Sequence, residues 1–283
     1  MRRSTSPLAA AAALVSCLVA GSVLAQAQPA VENKPYEPQV GQQGKDVVWV
    51  PTPQALVDRM LDMAKATPKD YVIDLGSGDG RTVITAAKRG ITALGIEYNP
   101  EMVELSKRNA EKAGVSDKAT FIKADLFETD FSKAQVITMF LLPDINLRLR
   151  PKILDLRPGT RIVSNSFTMG EWASDQTAKA TTEEGCQSYC TAYLWIVPAK
   201  VGGTWKLPQG QLVFKQEFQM VSGTLGAAGS PAAVSGRLNG ATITFRAGKT
   251  DYTGTVRGAE MEGTFKSPDG TGKWSASRVA AAK

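Results

Sequence analysis

Apolar residues fall into two regimes along this chain. Between Val48 and Pro198, short continuous apolar runs alternate with stretches whose apolar positions recur every three or four residues. The first regime opens with "VVWVPTPQALVDRMLDMAKATP", which predicts a helix with Thr52 as cap and Pro53 at the first position. Leu56, Val57, Met60, Leu61 and Ala64 then share one face. "YVIDL" is a continuous apolar strand of the kind covered on both faces. "TVITAAKR" is a helix stopped by Gly90, and "TALGIE" a second strand. "NPEMVELSKRNAEKAG" is a helix with Asn99 as cap, Pro100 at its first position and Gly114 beyond its end. "ATFIKAD" and "AQVITMFLL" are strands three and four, and "PDINLRLRPKILDL" is a helix. "GTRIVSNSF" and "TAYLWIVP" complete six strands. Strands and helices alternating with short connections predict an α/β domain with a doubly wound, Rossmann-like parallel sheet over residues 48–199.

After Pro198 the helical spacing stops and Gly, Thr and Ser rise. "SGTL", "SGRL", "TGTV" and "EGTF" each place a glycine inside a strand-like run. The intervening segments carry turn chemistry, so residues 200–283 read as an antiparallel β-meander or barrel-like domain of roughly six strands from Trp205 to Arg278. Glycines inside strands suit strong curvature or close contact across a small barrel, with Trp205 and Trp274 plugging its ends or core. Phe214, Phe218, Phe245 and Tyr252 are read as core, with a ligand cup as the alternative.

The N-terminus changes the setting. Arg2 and Arg3 precede an apolar run from Pro7 to Leu24, followed by Ala25-Gln26-Ala27. That is the layout of a signal peptide over residues 1–27, which implies an exported, periplasmic protein. The same segment also fits an uncleaved membrane anchor, or a lipoprotein box with Cys17 lipidated. Residues 28–47 read as an extended lead-in. Beyond Cys17 only Cys186 and Cys190 remain, in "CQSYC", a spacing suited to one short disulfide in an exported chain.

Composition removes several chemistries. The chain has 283 residues, 43% hydrophobic and 21% charged, as in ordinary globular proteins. The net charge of +6 is scattered, with no basic block interleaved with aromatics, which argues against nucleic acid as a partner. There is no histidine, so imidazole bases and Ser-His-Asp hydrolysis are excluded. With three cysteines as well, no metal site is expected.

The candidate chemistry begins at "DLGSGDGR", Asp74 to Arg81, between the first strand and the next helix. A P-loop is excluded, because no Gly-Lys-Ser/Thr follows Gly76 at the required spacing. The dinucleotide fingerprint needs a small residue where Arg81 stands. Gly76, Gly78 and Gly80 instead make a tight turn suited to a ligand without phosphate. Glu97, ending the second strand, can accept both hydroxyls of a ribose. Asp125, ending the third, can accept from an adenine amino group, with Leu126 and Phe127 covering the ring. Asp74 faces a cationic amino group well. A nucleoside plus an ammonium describes S-adenosyl-L-methionine.

Over roughly Val47 to Pro198 the chain resembles the class I S-adenosylmethionine-dependent methyltransferases. "WVPTP", "DLGSGDGR", "FLLPDIN", "LRPGTRIVSNSF" and "YLWIVPA" look like bacterial relatives of the mitochondrial lysine methyltransferases that act on the ATP synthase c-subunit and the adenine nucleotide translocase. The resemblance implies cofactor over the strand carboxyl ends, with Gly76, Gly78 and Gly80 along its methionine portion, Glu97 on the ribose, Asp125 on the adenine, and Thr52 within reach. Many methyltransferases of amines and amides carry Asn/Asp-Pro-Pro-Tyr after strand four. Here the corresponding stretch is Phe140-Leu141-Leu142-Pro143-Asp144, which lacks the polar first residue and argues for a flexible lysine amine of a protein as acceptor. Phe140, Pro143 and Asp144 are the candidate catalytic positions; Asp144, or Asn146, would hold the amine, or Asp144 would simply cap the helix. Trp49 and Trp172 are read as core or acceptor-site walls. The reading from another class is an exported S-adenosylmethionine-binding protein without transferase activity, whose β domain binds a partner.

Overall fold

The computed structural model describes residues 35–226 and 231–280. The expected signal peptide, Cys17 and the lead-in up to residue 34 lie outside the described residues. From Tyr36 onward the chain packs as one compact unit.

Its first part contains α1 (Gln54–Met63), β1 (Tyr71–Leu75), α2 (Arg81–Lys88), β2 (Thr92–Glu97), α3 (Pro100–Lys112), β3 (Ala119–Lys123), β4 (Val136–Met139), α4 (Pro143–Leu154), β5 (Arg161–Asn165), β6 (Gln176–Lys179) and β7 (Thr191–Ile196). The seven strands form one sheet in the order β3-β2-β1-β4-β5-β7-β6. Strands β1 to β5 run parallel. β7 runs antiparallel to both β5 and β6, so the sheet is mixed where an all-parallel one was expected. β6 was not foreseen. Three of its four residues "QTAK" are polar and exposed at the sheet edge, and no hydrophobic alternation marks them as a strand.

The central strands β1, β4 and β5 have two covered faces, which explains their continuous apolar runs. On one face Val72 packs with Leu56, Val57 and Met60 of α1 and with Val83 and Ala87 of α2. On the other, Ile73 and Leu75 pack with Ile145, Leu149 and Ile153 of α4, together with Trp172 and Trp195. Each such side chain contributes about 1.5–3 kcal/mol by leaving water. The chain order reverses at β1, which has β2 on one side and β4 on the other. That is the switch point where open α/β sheets leave a crevice beyond the strand carboxyl ends.

Two helix starts contrast. Asn99 caps α3 as expected, its side chain accepting from the Glu101 amide at 2.9 Å. The cap position of α1 is Pro53, one residue later than expected. Thr52 is therefore free for another use: its hydroxyl accepts from Asn165 Nδ2 at 3.3 Å.

The C-terminal part contains β8 (Gly203–Leu207), β9 (Gly210–Glu217), β10 (Met220–Gly226), β11 (Ala232–Asn239), β12 (Thr242–Ala247), β13 (Thr250–Arg257), β14 (Glu260–Ser267) and β15 (Gly270–Arg278). These eight, rather than about six as the turn spacing suggested, close into an antiparallel barrel when β8 pairs with both β15 and β9. Trp205, Phe214, Phe245, Tyr252 and Trp274 fill the interior, with Phe245 and Tyr252 stacked 4.6 Å apart. The recurring glycines have a packing cause. Gly254 stands opposite Gly263, and a Cβ on Gly254 would meet the Trp274 ring at 2.5 Å. Phe218 leaves the barrel at the β9–β10 turn and stacks on Trp172 of the first part, 5.9 Å between centroids. Gln219 donates to the Ala173 carbonyl at 2.8 Å, and Arg237 pairs with Asp175, so the barrel is docked beside β6 and β7.

Candidate active site

A cleft opens at the carboxyl ends of β1, β2 and β4, the position the topology dictates. Thr52, Asp74, Gly76, Gly78, Glu97, Asp125, Leu126 and Phe140 all line it. No barrel residue is on its walls among the described residues. Gly80, Phe127, Pro143 and Asp144 are not on its walls either.

The glycine turn is built by its neighbours. The Gly76 and Ser77 amides both donate to the Ile96 carbonyl, at 2.9 and 3.1 Å. Ser106 of α3 donates to the Gly78 carbonyl at 2.8 Å, and Asn109 to that of Asp79 at 3.0 Å. Gly76 and Gly78 adopt φ of +78° and +54°, open to glycine at no steric cost. A Cβ on Gly78 would also stand 2.7 Å from Trp49 Nε1. Gly80 serves a different purpose. A Cβ there would meet Phe121 and Ser106, so it lets α3 and β3 close on the turn and does not face the cleft.

The carboxylates differ in environment. Glu97 accepts from the Gly78 amide with one oxygen and from the Asn99 amide with the other, both at 2.9 Å. Two fixed bonds hold the group while further lone pairs stay available for a vicinal diol. Asp125 accepts from Lys45 Nζ at 2.6 Å and from the Phe127 amide at 2.9 Å. Lys45 first, then that amide, hold its pKa below the ordinary carboxylate value. Asp74 is only 6% exposed and accepts from the Thr138 hydroxyl at 2.6 Å. Burial pushes its pKa up to about 7; the Thr138 and Thr82 hydroxyls oppose the shift, while the charges of Glu97 and Asp79 add to it. A carboxyl so poised gains from an arriving cation. Arg81 pairs with Asp79 at 2.6 Å and donates to the Thr52 carbonyl at 2.9 Å, tying the turn to the segment before α1.

That segment contributes more than an extended lead-in would. The Gly41 amide bonds to the Trp49 carbonyl at 2.8 Å and the Trp49 amide to that of Gln42 at 2.9 Å. The resulting loop brings Gln42, Lys45, Val47 and Trp49 onto the cleft walls. Lys45 also stands 4.3 Å over the Tyr98 ring. Sequence reasoning missed Lys45, which no periodicity marks; the neighbouring run "VVWV", too apolar to lie in water, was the available signal.

At its other end the cleft is aromatic. Phe140, Phe167 and Tyr189 line it together, with Phe140 centred 6.0 Å from Phe167 and 5.2 Å from Tyr189. Phe140 follows directly from β4. Phe167 is thrown inward by a tight turn at Ser166, whose φ is +60°, with the Phe167 amide donating to the Asn165 carbonyl at 2.7 Å. Such strained backbone persists where surroundings over-determine it. Here Asn146, wholly buried, donates to the Thr168 carbonyl at 3.2 Å. Asn146 thus braces the Phe167 segment from below, and is not among the groups facing the cleft. Leu142 occupies the cap of α4, and Asp144 is an exposed acid in its first turn. Of the two tryptophans, Trp49 is a wall and Trp172 is fully buried core.

Comparison with known proteins agrees with this geometry. Residues 74–176 match the model of the ANTKMT methyltransferase domain. The chain is 44% identical over 154 residues to a protein-lysine N-methyltransferase of Saccharolobus islandicus, covering 53% of this chain and 94% of that one. It is 35% identical over 130 residues to the ATP synthase c-subunit lysine N-methyltransferase of Mus musculus, a match covering 46% of this chain and 52% of that one. Among solved structures, an RNA methyltransferase from Salinibacter ruber, in complex with S-adenosyl-L-homocysteine, is 45% identical with a TM-score of 0.50. That match covers 54% of this chain and 96% of that one. The chain belongs to the S-adenosylmethionine-dependent methyltransferases, and its residues 74–176 are the part that matches the ANTKMT methyltransferase domain.

Proposed function

We propose that this methyltransferase transfers its methyl group to the side-chain amine of a protein lysine, outside the cytosol. The observation that carries the acceptor is the ring-lined end of the cleft. Phe140, Phe167 and Tyr189 stand where an enzyme acting on a planar amide or base needs polar groups to orient the nitrogen. A lysine amine on its flexible stem needs an apolar channel more than a hydrogen-bond frame. The names of the Saccharolobus islandicus and mouse relatives support the same acceptor.

Bound S-adenosylmethionine supplies a methyl group on a sulfonium. In this reading Glu97 takes the ribose hydroxyls, Asp125 and Leu126 the adenine, and Asp74 the ammonium. The backbone of Gly76 and Gly78 runs along the methionine portion, and Thr52 closes that side. The rings strip water from the incoming amine. Its ordinary pKa near 10.4 falls on desolvation beside a cation, so the proton leaves to solvent and no dedicated base is required. The rest is alignment of nitrogen, methyl and sulfur in one line. The Cys186–Cys190 disulfide supports export, since such bonds persist in oxidising compartments.

The test is tritiated methyl transfer onto membrane protein, soluble protein and RNA from the host, with Glu97→Ala and Asp125→Ala as controls. Label recovered as Nε-methyllysine from protein, and lost in both variants, is expected. Label in RNA would replace the lysine reading with a nucleic-acid acceptor; cofactor binding with no transfer to any fraction would favour a sensor.

A further inference from the structure

Tyr189 is the one wall of the ring-lined channel that comes from neither a strand end nor the segment directly after one. It sits in the three-residue loop Gln187-Ser188-Tyr189 that the Cys186–Cys190 disulfide closes. Both ends of that loop are anchored. Cys186 is 1% exposed within the core under α1, and its amide donates to the Thr181 carbonyl at 3.0 Å. The Cys190 carbonyl accepts from the Ala180 amide at 2.9 Å, and β7 begins at the next residue. Glu184, one turn earlier, accepts from the Thr181 amide at 2.8 Å and pairs with Arg59 of α1.

Core packing does not account for Tyr189. The residue is 44% exposed, and its ring neighbours are the two other aromatic walls, Phe140 at 5.2 Å and Phe167 at 6.3 Å. Its φ is +55°, a left-handed conformation that a bulky side chain adopts only under constraint. The Cys186–Cys190 disulfide, which closes the loop at the next residue, can supply that constraint. Ring faces attract an ammonium or its methylated forms, and three rings on three segments can enclose one.

We infer that Tyr189, held by the Cys186–Cys190 disulfide, is the outer wall of the acceptor-amine channel, so that the oxidised loop sets acceptor affinity while leaving cofactor binding untouched. This rests on the lysine reading of the same cleft. Tyr189 touches the acceptor; the two cysteines act through it as positioning residues. Reduction by dithiothreitol would leave two thiols at 186 and 190 and the cyclic disulfide of the reagent, and would release the ring.

The experiment uses the oxidised full chain saturated with S-adenosylhomocysteine, titrated with Nα-acetyl-Nε-trimethyllysine amide as probe. Tyr189→Ala, the Cys186→Ser/Cys190→Ser pair and the reduced wild type should each bind the probe about five- to tenfold more weakly, the span expected for losing one ring of a cation site. Tyr189→Phe should restore binding, and the affinity for S-adenosylhomocysteine should stay within twofold throughout, which a general loss of folding would not allow. Unchanged probe affinity in Tyr189→Ala overturns the inference. So does equal loss of probe and S-adenosylhomocysteine, which would mark the loop as merely structural. The host fractions separate the two failures. If wild type labels protein lysine but Tyr189→Ala labels it with the same acceptor KM, only this inference falls; if wild type labels no lysine, the lysine reading falls and takes this one with it.

Discussion

Lys45 and Asp125, 80 positions apart in the chain, meet at 2.6 Å on the wall of the cleft. Lys45 reaches there from the segment ahead of α1 and lies over Tyr98 on the way. Its ammonium thus engages the carboxylate that the adenine amino group would use. Both groups meet solvent, so the pair is worth little by itself. Lys45→Met should therefore tighten S-adenosylhomocysteine binding by no more than about threefold and flatten its dependence on salt. Calorimetric titration of both proteins at low and high ionic strength checks this; a large loss of affinity in Lys45→Met would instead make Lys45 a direct cofactor ligand.

Asp74 makes the cleft sensitive to pH. Its folded pKa is raised to about 7 from an ordinary value of 3.8. The folded state therefore holds this proton more tightly than the unfolded one. The favourable contribution is complete below about pH 4, declines as pH rises, and is gone above about 7. An arriving ammonium reverses the preference and expels the proton. Binding of S-adenosylhomocysteine at pH 6 should thus release protons, readable from buffers of different ionisation enthalpy, with little release at pH 8. Asp74→Asn should abolish the pH 6 release, weaken binding at pH 8, and raise the melting temperature of the unliganded protein at pH 8. Undiminished proton release in that variant would assign the titration to another group.

Gly78 is constrained twice, by φ of +54° and by Trp49 standing 2.7 Å from where a Cβ would lie. Gly78→Ala should cost about 1–2 kcal/mol in urea unfolding and weaken S-adenosylhomocysteine at least tenfold, because the turn carries the Glu97 bond as well. Gly114 provides the control. It has a similar φ of +68° but nothing within 4 Å of its Cβ direction, so Gly114→Ala should cost stability without touching affinity.

One of the contacts that couple the barrel to the sheet is made by Phe218, whose φ is +51° and whose ring leaves the barrel to stack on Trp172. Phe218→Ala should loosen that docking. Calorimetric melting should then move from one transition toward two, while S-adenosylhomocysteine affinity stays unchanged, since no described barrel residue lines the cleft. A parallel fall in affinity would show that the barrel shapes the site.

What could be read from the chain follows what each feature depends on. Strands such as "YVIDL" and the Asn99 cap are local, and the amino-acid pattern marks them directly. The joint placement of Asp74, Glu97 and Asp125 was legible because the α/β topology sends consecutive strand ends to one edge. Three features were not. β6 owes its existence to β7 beside it, not to its own polar residues. Gly80, identical in type to its neighbours, faces α3 rather than the cleft, and only packing separates the two cases. Lys45, Phe167 and Tyr189 reach the cleft through loop geometry: a hairpin-like turn, a strained Ser166 and a disulfide. Long-range closure of that kind leaves no periodic trace.

In the proposed function one cleft holds the adenosyl group at Glu97 and Asp125 and the cofactor's ammonium at Asp74, and it opens onto a ring-lined acceptor channel. A crystal structure of the full chain with S-adenosylhomocysteine measures it most directly. The ribose is expected on Glu97, the adenine amine at Asp125 with Lys45 displaced, the amino group at Asp74, and the sulfur facing Phe140, Phe167 and Tyr189. A ligand bound elsewhere, or one whose sulfur points away from those rings, would contradict it.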